Sequence, residues 1–515
     1  MCLPKRYIVV LLGFWGLLIS IGYRAVFAMV MVHVIKASHG TDNDESLFAG
    51  NCTAFGHGRN LTLDWSVAIS QYFNTGYFLG SVITQLPGGY LASRFSPRRV
   101  CGFSILISSV MMVCLPEAIK YSKYLVFVLR CLQGIVEGCS VPALNGVISA
   151  WAPKYERSKM ITFAFAGKYV FLSYLSPAVG QIVTGFTACF LAWYASLYIY
   201  GGLGIIWSLL WIFCLYDTPS QHPSLSRAER DLFEREGASV KQGSAKVASQ
   251  IPWRKILTSL PMSAIMIGSF CRNWIFAMVI TEVPQYFKDA FKMDIATIGL
   301  KAALPEILMT VVTITGGVTI DKLIKSRLIS TTVGRKLAQT TGFGIEALCF
   351  LSLRWIYNST NALVLLSVGV AFSGFAISGY QVNPLDLAPQ YASVLTGMSR
   401  LGAIGAVLST FVAGKLGKQN IESWQEIFTI AGSIHLVGVA YYAIFASGQL
   451  QDWAVVEETK PLVSSVRESS PPENAKDNED QVESIEDRDF RFSASQRAHN
   501  KEEYDSPDWF TTSYP

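Results

Sequence analysis

Apolar residues occur along this chain in long blocks, and the first block, residues 7–32, begins almost at Met1. The remaining blocks lie near 68–92, 99–117, 124–150, 160–184, 191–215, 260–287, 294–318, 336–356, 361–383, 394–416 and 425–447. About 20 apolar residues are what a helix needs to cross a hydrocarbon core of about 30 Å. The pattern therefore predicts an all-α integral membrane protein with about twelve transmembrane helices. The first block is too long and too aromatic for a signal peptide, so we expect it to be a retained span.

Composition agrees with a bilayer environment. The 515 residues are 51% hydrophobic and 15% charged, whereas a soluble domain has about 25% charged residues. The sequence contains nothing that resembles a Walker loop, a zinc site or a catalytic triad, so we expect no enzyme, no bound metal or cofactor, and no nucleic-acid partner. Most of the ten cysteines lie in apolar blocks, and we expect no disulfide framework.

Polar segments divide the chain. A polar stretch at 217–255 separates residues 1–216 from residues 256–450, and each part contains six apolar blocks. We predict two six-helix halves joined by a cytoplasmic linker. Residues 451–515 are rich in acidic residues, Ser and Asn and poor in aliphatic ones, which is typical of a disordered tail.

The two halves repeat each other. Gly88-Gly89-Tyr-Leu-Ala-Ser-Arg94 follows the second block, and Gly316-Gly317-Val-Thr-Ile-Asp-Lys322 follows the eighth. Ala152-Pro153 and Ala388-Pro389 follow the fourth and tenth blocks in the same way. A parallel duplication of six spans is the architecture of the major facilitator superfamily, in which the substrate binds between the halves near the bilayer midplane.

The orientation follows from basic residues in short loops, which stay in the cytoplasm. Such residues follow the second, fourth and eighth blocks, for example Arg98, Arg157 and Lys325. We therefore predict that both termini are cytoplasmic and that the loop 33–67 is luminal. This loop contains two N-glycosylation sequons, at Asn51 and Asn60, as a luminal loop would.

The first, fourth and seventh spans each contain an arginine within the apolar block: Arg24, Arg130 and Arg272. A buried arginine costs about 2.5–3.5 kcal/mol even on an insertion scale, so each needs a partner or a polar cavity. These three spans line the central cavity in the expected fold, and guanidinium groups bind carboxylates well. The pattern predicts a site for an organic anion.

Each charged residue also has a purely structural interpretation. Arg130 could form a permanent ion pair with Glu137, two helical turns away, and Arg24 could extend to the membrane surface. The acid nearest to Arg272 along its own span is Glu282, almost three turns away. Glu137 is either a proton-coupling residue or an ion-pair partner that never titrates.

Several motifs resemble the anion and phosphate solute carriers, a family that includes sialin, the sodium–phosphate carriers and the vesicular glutamate transporters. The shared motifs are Thr84-Gln85-Leu-Pro87-Gly88-Gly89-Tyr90, Arg130-Cys-Leu-Gln133-Gly134-Ile-Val-Glu137-Gly138, Trp151-Ala-Pro153-Lys-Tyr-Glu156-Arg157-Ser158 and Leu385-Asp386-Leu-Ala-Pro389. Three further segments favour the glutamate branch: Phe270-Cys271-Arg272-Asn273-Trp274, Gly342-Phe-Gly-Ile-Glu346-Ala347 and Ser373-Gly374-Phe375-Ala376-Ile377-Ser378-Gly379.

This resemblance implies uptake of L-glutamate into synaptic or other vesicles, driven by membrane potential, with proton and chloride linkage and possible sodium–phosphate symport. It implies that Arg130 and Arg272 hold the carboxylates and that Glu137 senses protons. Asn74 and Asn145 align with two histidines of the family, and we expect both in the substrate site.

The chain also departs from the glutamate branch. Val141 and Ala277 align with cavity tyrosines, and extra charges occur within spans at Lys168, Glu282, Glu306 and Arg400. A transporter of phosphate, sialate or a dicarboxylate in an endolysosomal or plasma membrane is therefore an alternative. A second alternative is a non-cycling receptor or trafficking protein that works through its tail, where Glu458-Thr-Lys-Pro-Leu462-Val463 weakly resembles a signal for sorting adaptors.

Overall fold

A computed structural model describes residues 4–35, 61, 63–151, 171–223, 225–227, 229–231, 233, 252–388, 391–416 and 420–454. The regular elements within these ranges are helices, and one isolated bridge joins Ile35 to Leu63. The sequons at Asn51 and Asn60, Lys168 and the acidic tail from residue 455 onward lie outside the described residues.

Seven helices are described before the polar stretch at 217–255. They are α1 (Lys5–Val34), α2 (Val67–Arg94), α3 (Pro97–Tyr121), α4 (Lys123–Glu137), α5 (Ser140–Trp151), α6 (Phe171–Phe190) and α7 (Ala195–Cys214). We call this part of the bundle the first half.

Ten helices form the second half, and the first of them begins at the end of the polar stretch. They are α8 (Trp253–Leu257), α9 (Leu260–Thr281), α10 (Val283–Phe291), α11 (Ile295–Lys325), α12 (Thr331–Ser352), α13 (Ser359–Tyr380), α14 (Asn383–Leu387), α15 (Ala392–Ser399), α16 (Ile404–Leu416) and α17 (Ile421–Phe445).

These helices account for the twelve apolar blocks of the sequence. Nine helical segments among the described residues are long and apolar enough to cross a membrane, and α2, α6 and α12 complete the twelve. Three blocks are interrupted. The fourth breaks between α4 and α5 directly after Glu137, the seventh breaks at Glu282, and the eleventh contains a 3₁₀ turn at Arg400–Ala403. Transporters place such breaks near their binding sites.

Glycines allow helices of each half to pack backbone to backbone. A Cβ built on Gly134 of α4 would lie 2.0 Å from the Tyr77 carbonyl oxygen of α2, and one on Gly374 of α13 would lie 2.7 Å from the Met309 oxygen of α11. Gly134 lies in the Gly-rich segment 130–138, and Gly374 lies in the Gly-rich segment 373–379. Their role as close-packing surfaces follows directly from these distances.

The two halves meet at the end of the bundle where α1 finishes and α2 begins, which we call the first-loop end. Thr75 of α2 donates to Thr410 of α16 at 2.9 Å, and Gln71 donates to the Thr281 carbonyl of α9 at 3.5 Å. The Lys288 ammonium donates to the Val32 and Ile35 carbonyls that α1 leaves without helical partners. The structure is thus closed at the first-loop end.

One cysteine differs from the expectation. Cys189, near the end of α6, is disulfide-bonded, whereas the other described cysteines are free. The sequence predicts no disulfide framework, and Cys189 is an exception to that prediction. This residue lies between the fifth and sixth apolar blocks, so the view of a cysteine inside a span as a small buried hydrophobe does not apply to it.

We expect Gly134→Ala to destabilise the protein by about 1–3 kcal/mol, because the added methyl would force α4 away from the α2 backbone. The thermal unfolding midpoint of detergent-purified protein measures this effect. Gly202→Ala on α7 is the matched control, since a Cβ there has no neighbour within 4 Å. An equal midpoint for the two variants would contradict the packing argument.

Candidate functional site

The first half contains a buried polar cluster around Glu137. The Arg24 guanidinium reaches one Glu137 carboxylate oxygen at 3.3 Å, and the Ser20 hydroxyl donates to the same oxygen at 2.6 Å. Arg24 also donates from Nε to the Tyr77 hydroxyl at 2.9 Å. Helices α1, α2 and α4 each contribute to this cluster, which explains why it cannot be read from spacing along one helix. The idea that Arg24 extends to the membrane surface is wrong, because its charge is paired inside the bundle.

Arg130 lies beside this cluster, in a different environment. Its guanidinium lies 4.1 Å from the ring centre of Phe27 and 4.3 Å from that of Tyr77, and Nη1 donates to Gln133 at 2.6 Å. Only 1% of Arg130 is exposed. The ion pair of Glu137 in the described structure is with Arg24, so Arg130 is held mainly by aromatic faces and an amide.

The two asparagines predicted for the site have different surroundings. Asn74 on α2 is buried, and neither of its amide atoms has a hydrogen-bond partner among the described residues. Such an amide favours a further ligand or water, because leaving it unsatisfied costs about 1–3 kcal/mol. Asn145 on α5 is half-buried.

Arg272 on α9 lines a cavity between the two halves. The other lining residues are Pro177 of α6, Phe276 and Val279 of α9, Glu306 and Met309 of α11, and Val370 of α13. The guanidinium contacts the Met309 sulfur at 3.3 Å and lies 5.6 Å from the Phe276 ring centre. Apart from Arg272 and Glu306 the lining residues are apolar, so a charged ligand would be oriented by few groups.

Two acids from other helices act on Arg272: Glu306 of α11 and Glu346 of α12. Both are buried, and Glu346 lies 3.4 Å from the Nε2 atom of His435 on α17. Spacing along the span of Arg272 itself points to a different acid, Glu282. Glu282 in fact accepts a hydrogen bond from Ser409 at 2.9 Å, at the break between α9 and α10. His435 was not identified from the sequence at all.

The site is built from side chains. Groups of three or more His, Cys, Asp or Glu residues able to hold a metal ion do not occur in the described part of the chain. The arrangement offers guanidinium groups in both halves, those of Arg24 and Arg130 in the first half and that of Arg272 in the second. Buried guanidinium groups of this kind can bind carboxylates by charge-assisted hydrogen bonds.

Solved structures with this fold are transporters. The xylose transporter XylE from E. coli, in an inward-open conformation, has a TM-score of 0.62 at 14% identity, covering 86% of this chain and 96% of that one. A bacterial homologue of the human lysosomal transporter Spinster, in an inward-facing conformation, has a TM-score of 0.60 at 13% identity, covering 86% of this chain and 97% of that one. At these identities the likeness establishes the fold alone, and it confirms the predicted twelve-helix architecture.

Comparison with the sequences of known proteins identifies the family, which the structural likeness does not. The model of the Major Facilitator Superfamily matches residues 9–404. Vesicular glutamate transporter 1 of Xenopus laevis is 36% identical over 460 residues, which cover 89% of this chain and 77% of that protein. Vesicular glutamate transporter 2 of Homo sapiens is 35% identical over 460 residues, with coverages of 89% and 76%. The chain therefore belongs to the major facilitator superfamily and, within its anion transporters, to the branch of the vesicular glutamate transporters.

Proposed function

We propose that this multi-pass membrane protein is a secondary active transporter that moves L-glutamate from the cytoplasm into vesicles. The observation that carries the proposal is the cavity between the halves into which Arg272 projects. The names of its relatives, vesicular glutamate transporters 1 and 2, support the substrate. An interface between two repeats is also where this fold places its substrate.

The guanidinium groups of the two halves suit a substrate with two carboxylates. In the first half, Glu137 neutralises one of the two arginines Arg24 and Arg130, which leaves one net positive charge. That charge is suited to one carboxylate, and Arg272 in the second half is suited to the other. Binding one end of the ligand to each half would link occupancy to the rocking motion that exchanges access between the two sides.

Membrane potential is the proposed driving force. Glutamate has one net negative charge, so a lumen-positive potential favours its accumulation by about 2.3 kcal/mol per 100 mV. We propose that Glu137 provides proton linkage by exchanging its ion pair with Arg24 for a proton. Chloride would act as a modulating ion at these arginines, and sodium as a coupling ion.

The closed first-loop end is compatible with loading of substrate from the cytoplasm. With the loop 33–67 luminal, the contacts of Lys288, Thr75 and Gln71 would form the luminal gate. The structure would then represent the state that loads substrate from the cytoplasm. We place the protein in a synaptic or other intracellular vesicle membrane, with glycans at Asn51 and Asn60 and with a tail available to sorting adaptors.

We expect Arg272→Ala to reduce potential-driven uptake of labelled L-glutamate by roughly 10- to 100-fold, because it removes charge-assisted hydrogen bonds to a carboxylate. Purified protein in liposomes under an imposed lumen-positive potential provides the measurement. Arg272→Lys should give an intermediate rate, since lysine keeps the charge but not the planar fork.

Arg354→Ala is the matched control, because Arg354 is exposed outside the bundle and its loss should leave uptake unchanged. Uptake by the unaltered protein no greater than that of lipid-only liposomes would exclude glutamate. If labelled phosphate, sialate or a dicarboxylate were then taken up, the protein would carry another anion. Failure of all these substrates would favour a non-transport role.

We expect Glu137→Gln to abolish uptake driven by a pH gradient alone while preserving part of the uptake driven by potential alone, because glutamine cannot exchange a proton. The charged and titratable groups around position 137 include Arg24, Arg130, Tyr77 and Tyr23, and the two arginines keep their charge. Ser20→Ala is the control, since it removes a hydrogen bond to Glu137 but no titratable group. Full pH-driven uptake by Glu137→Gln would refute proton linkage at this residue.

A further inference from the structure

Glu306 is a buried acid in the same cavity as Arg272. It lies on α11, is 5% exposed and lines the space between the halves. Its Oε2 atom has no hydrogen-bond partner among the described residues. A carboxylate oxygen that is buried without a donor is costly, so this position favours a ligand that can donate to it.

A simple anion would not satisfy both of the ionisable groups that line the cavity, Arg272 and Glu306. The positive charge that acts on Glu306 is that of Arg272, and Arg272 also interacts with Glu346. Two buried carboxyl groups therefore lie in the electrostatic environment of one guanidinium. An anion that brought only a carboxylate to Arg272 would leave the buried Oε2 atom of Glu306 without a hydrogen-bond donor, which is costly.

Glu306 and the Arg272 guanidinium are close enough to bind one small head group together. Arg272 contacts Met309, which follows Glu306 by three residues on α11, and residues so spaced are neighbours on one helix face. An α-amino acid has its ammonium and carboxylate on the same carbon atom. Its head group thus matches an acid and a guanidinium that lie side by side.

We propose that Glu306 binds the ammonium group of an α-amino acid while Arg272 binds its α-carboxylate, so that the site selects amino acids over organic anions that lack an amine. The inference rests on the proposed transport function and specifies its substrate class. The side-chain carboxylate of glutamate would then extend toward the first-half arginines. Phe276, Val279 and Val370 form apolar walls around the head group, which strengthens its ionic contacts by excluding water.

Glu346 has a different role in this arrangement. It does not belong to the residues that line the described cavity, and it is next to His435. The acid that a ligand can reach is therefore Glu306.

Competition for uptake of labelled L-glutamate into proteoliposomes tests the proposal. Unlabelled L-glutamate is compared with glutarate, which has the same two carboxylates without the amine, and with N-acetyl-L-glutamate, whose amine is neutralised. For the unaltered protein we expect both analogues to compete at least about tenfold more weakly than glutamate, because a site built for an N–H donor rejects ligands that lack it. For Glu306→Gln we expect this ratio to fall toward one.

Glu282→Gln is the matched control, since Glu282 is also a buried acid of the second half but lies at the break between α9 and α10. It should leave the ratio of the competitors unchanged. Equal competition by glutarate and glutamate in the unaltered protein would overturn the proposal. So would an unchanged ratio in Glu306→Gln.

Two further measurements keep the test decisive. If Glu306→Gln does not fold, Glu306→Asp replaces it. This variant should retain discrimination with weaker glutamate competition, and a loss of discrimination would argue against a charge contact.

If the unaltered protein takes up no glutamate, the transport proposal fails separately. Thermal stabilisation of the purified protein by L-glutamate, L-aspartate or glutarate then tests the head-group site alone. Stabilisation by the amino acids but not by glutarate supports Glu306 as the ammonium site, and the reverse, or no stabilisation by any of them, refutes it.

Discussion

A guanidinium group surrounded by apolar helices must be compensated by acceptors, acids or aromatic faces, and much of this bundle is arranged around that requirement. Arg24 is compensated by Glu137 and Tyr77, and Arg130 by two aromatic rings and Gln133. These partners come from α1, α2 and α4. The close approach of α4 to α2 at Gly134 is therefore both a packing feature and a condition for placing the charges.

The second half meets the same requirement differently. Arg272 contacts Met309 and the Phe276 ring, and the buried acid Glu306 of α11 lines the same cavity. Two arginines with one acid in the first-half cluster, and one arginine with a buried acid at the cavity of the second half, provide different surroundings for the two ends of a ligand. In the mechanism we propose, this asymmetry gives the substrate a fixed orientation between two otherwise duplicated halves.

Contacts between the halves are mostly neutral. Hydroxyl, amide and backbone groups form the hydrogen bonds at the first-loop end, and Lys288 binds carbonyls rather than an acid. Neutral hydrogen bonds contribute only about 0.5–1.5 kcal/mol each, so a small number of them can be exchanged during a transport cycle. The buried charge clusters lie within the halves, which suits halves that move as units.

The sequence by itself determined the spans, the duplication and the family, because apolar length, basic loops and contiguous motifs are local properties of the chain. It also identified Arg24, Arg130, Glu137 and Arg272 as unusual, since a charge inside an apolar block is visible without a structure. Only the tertiary structure decided which charges meet. Glu137 pairs with Arg24 from another helix, and Glu306 lines the same cavity as Arg272 although 34 positions of the chain separate them. Spacing along one helix cannot report such pairs, because they depend on how separate helices rotate and pack.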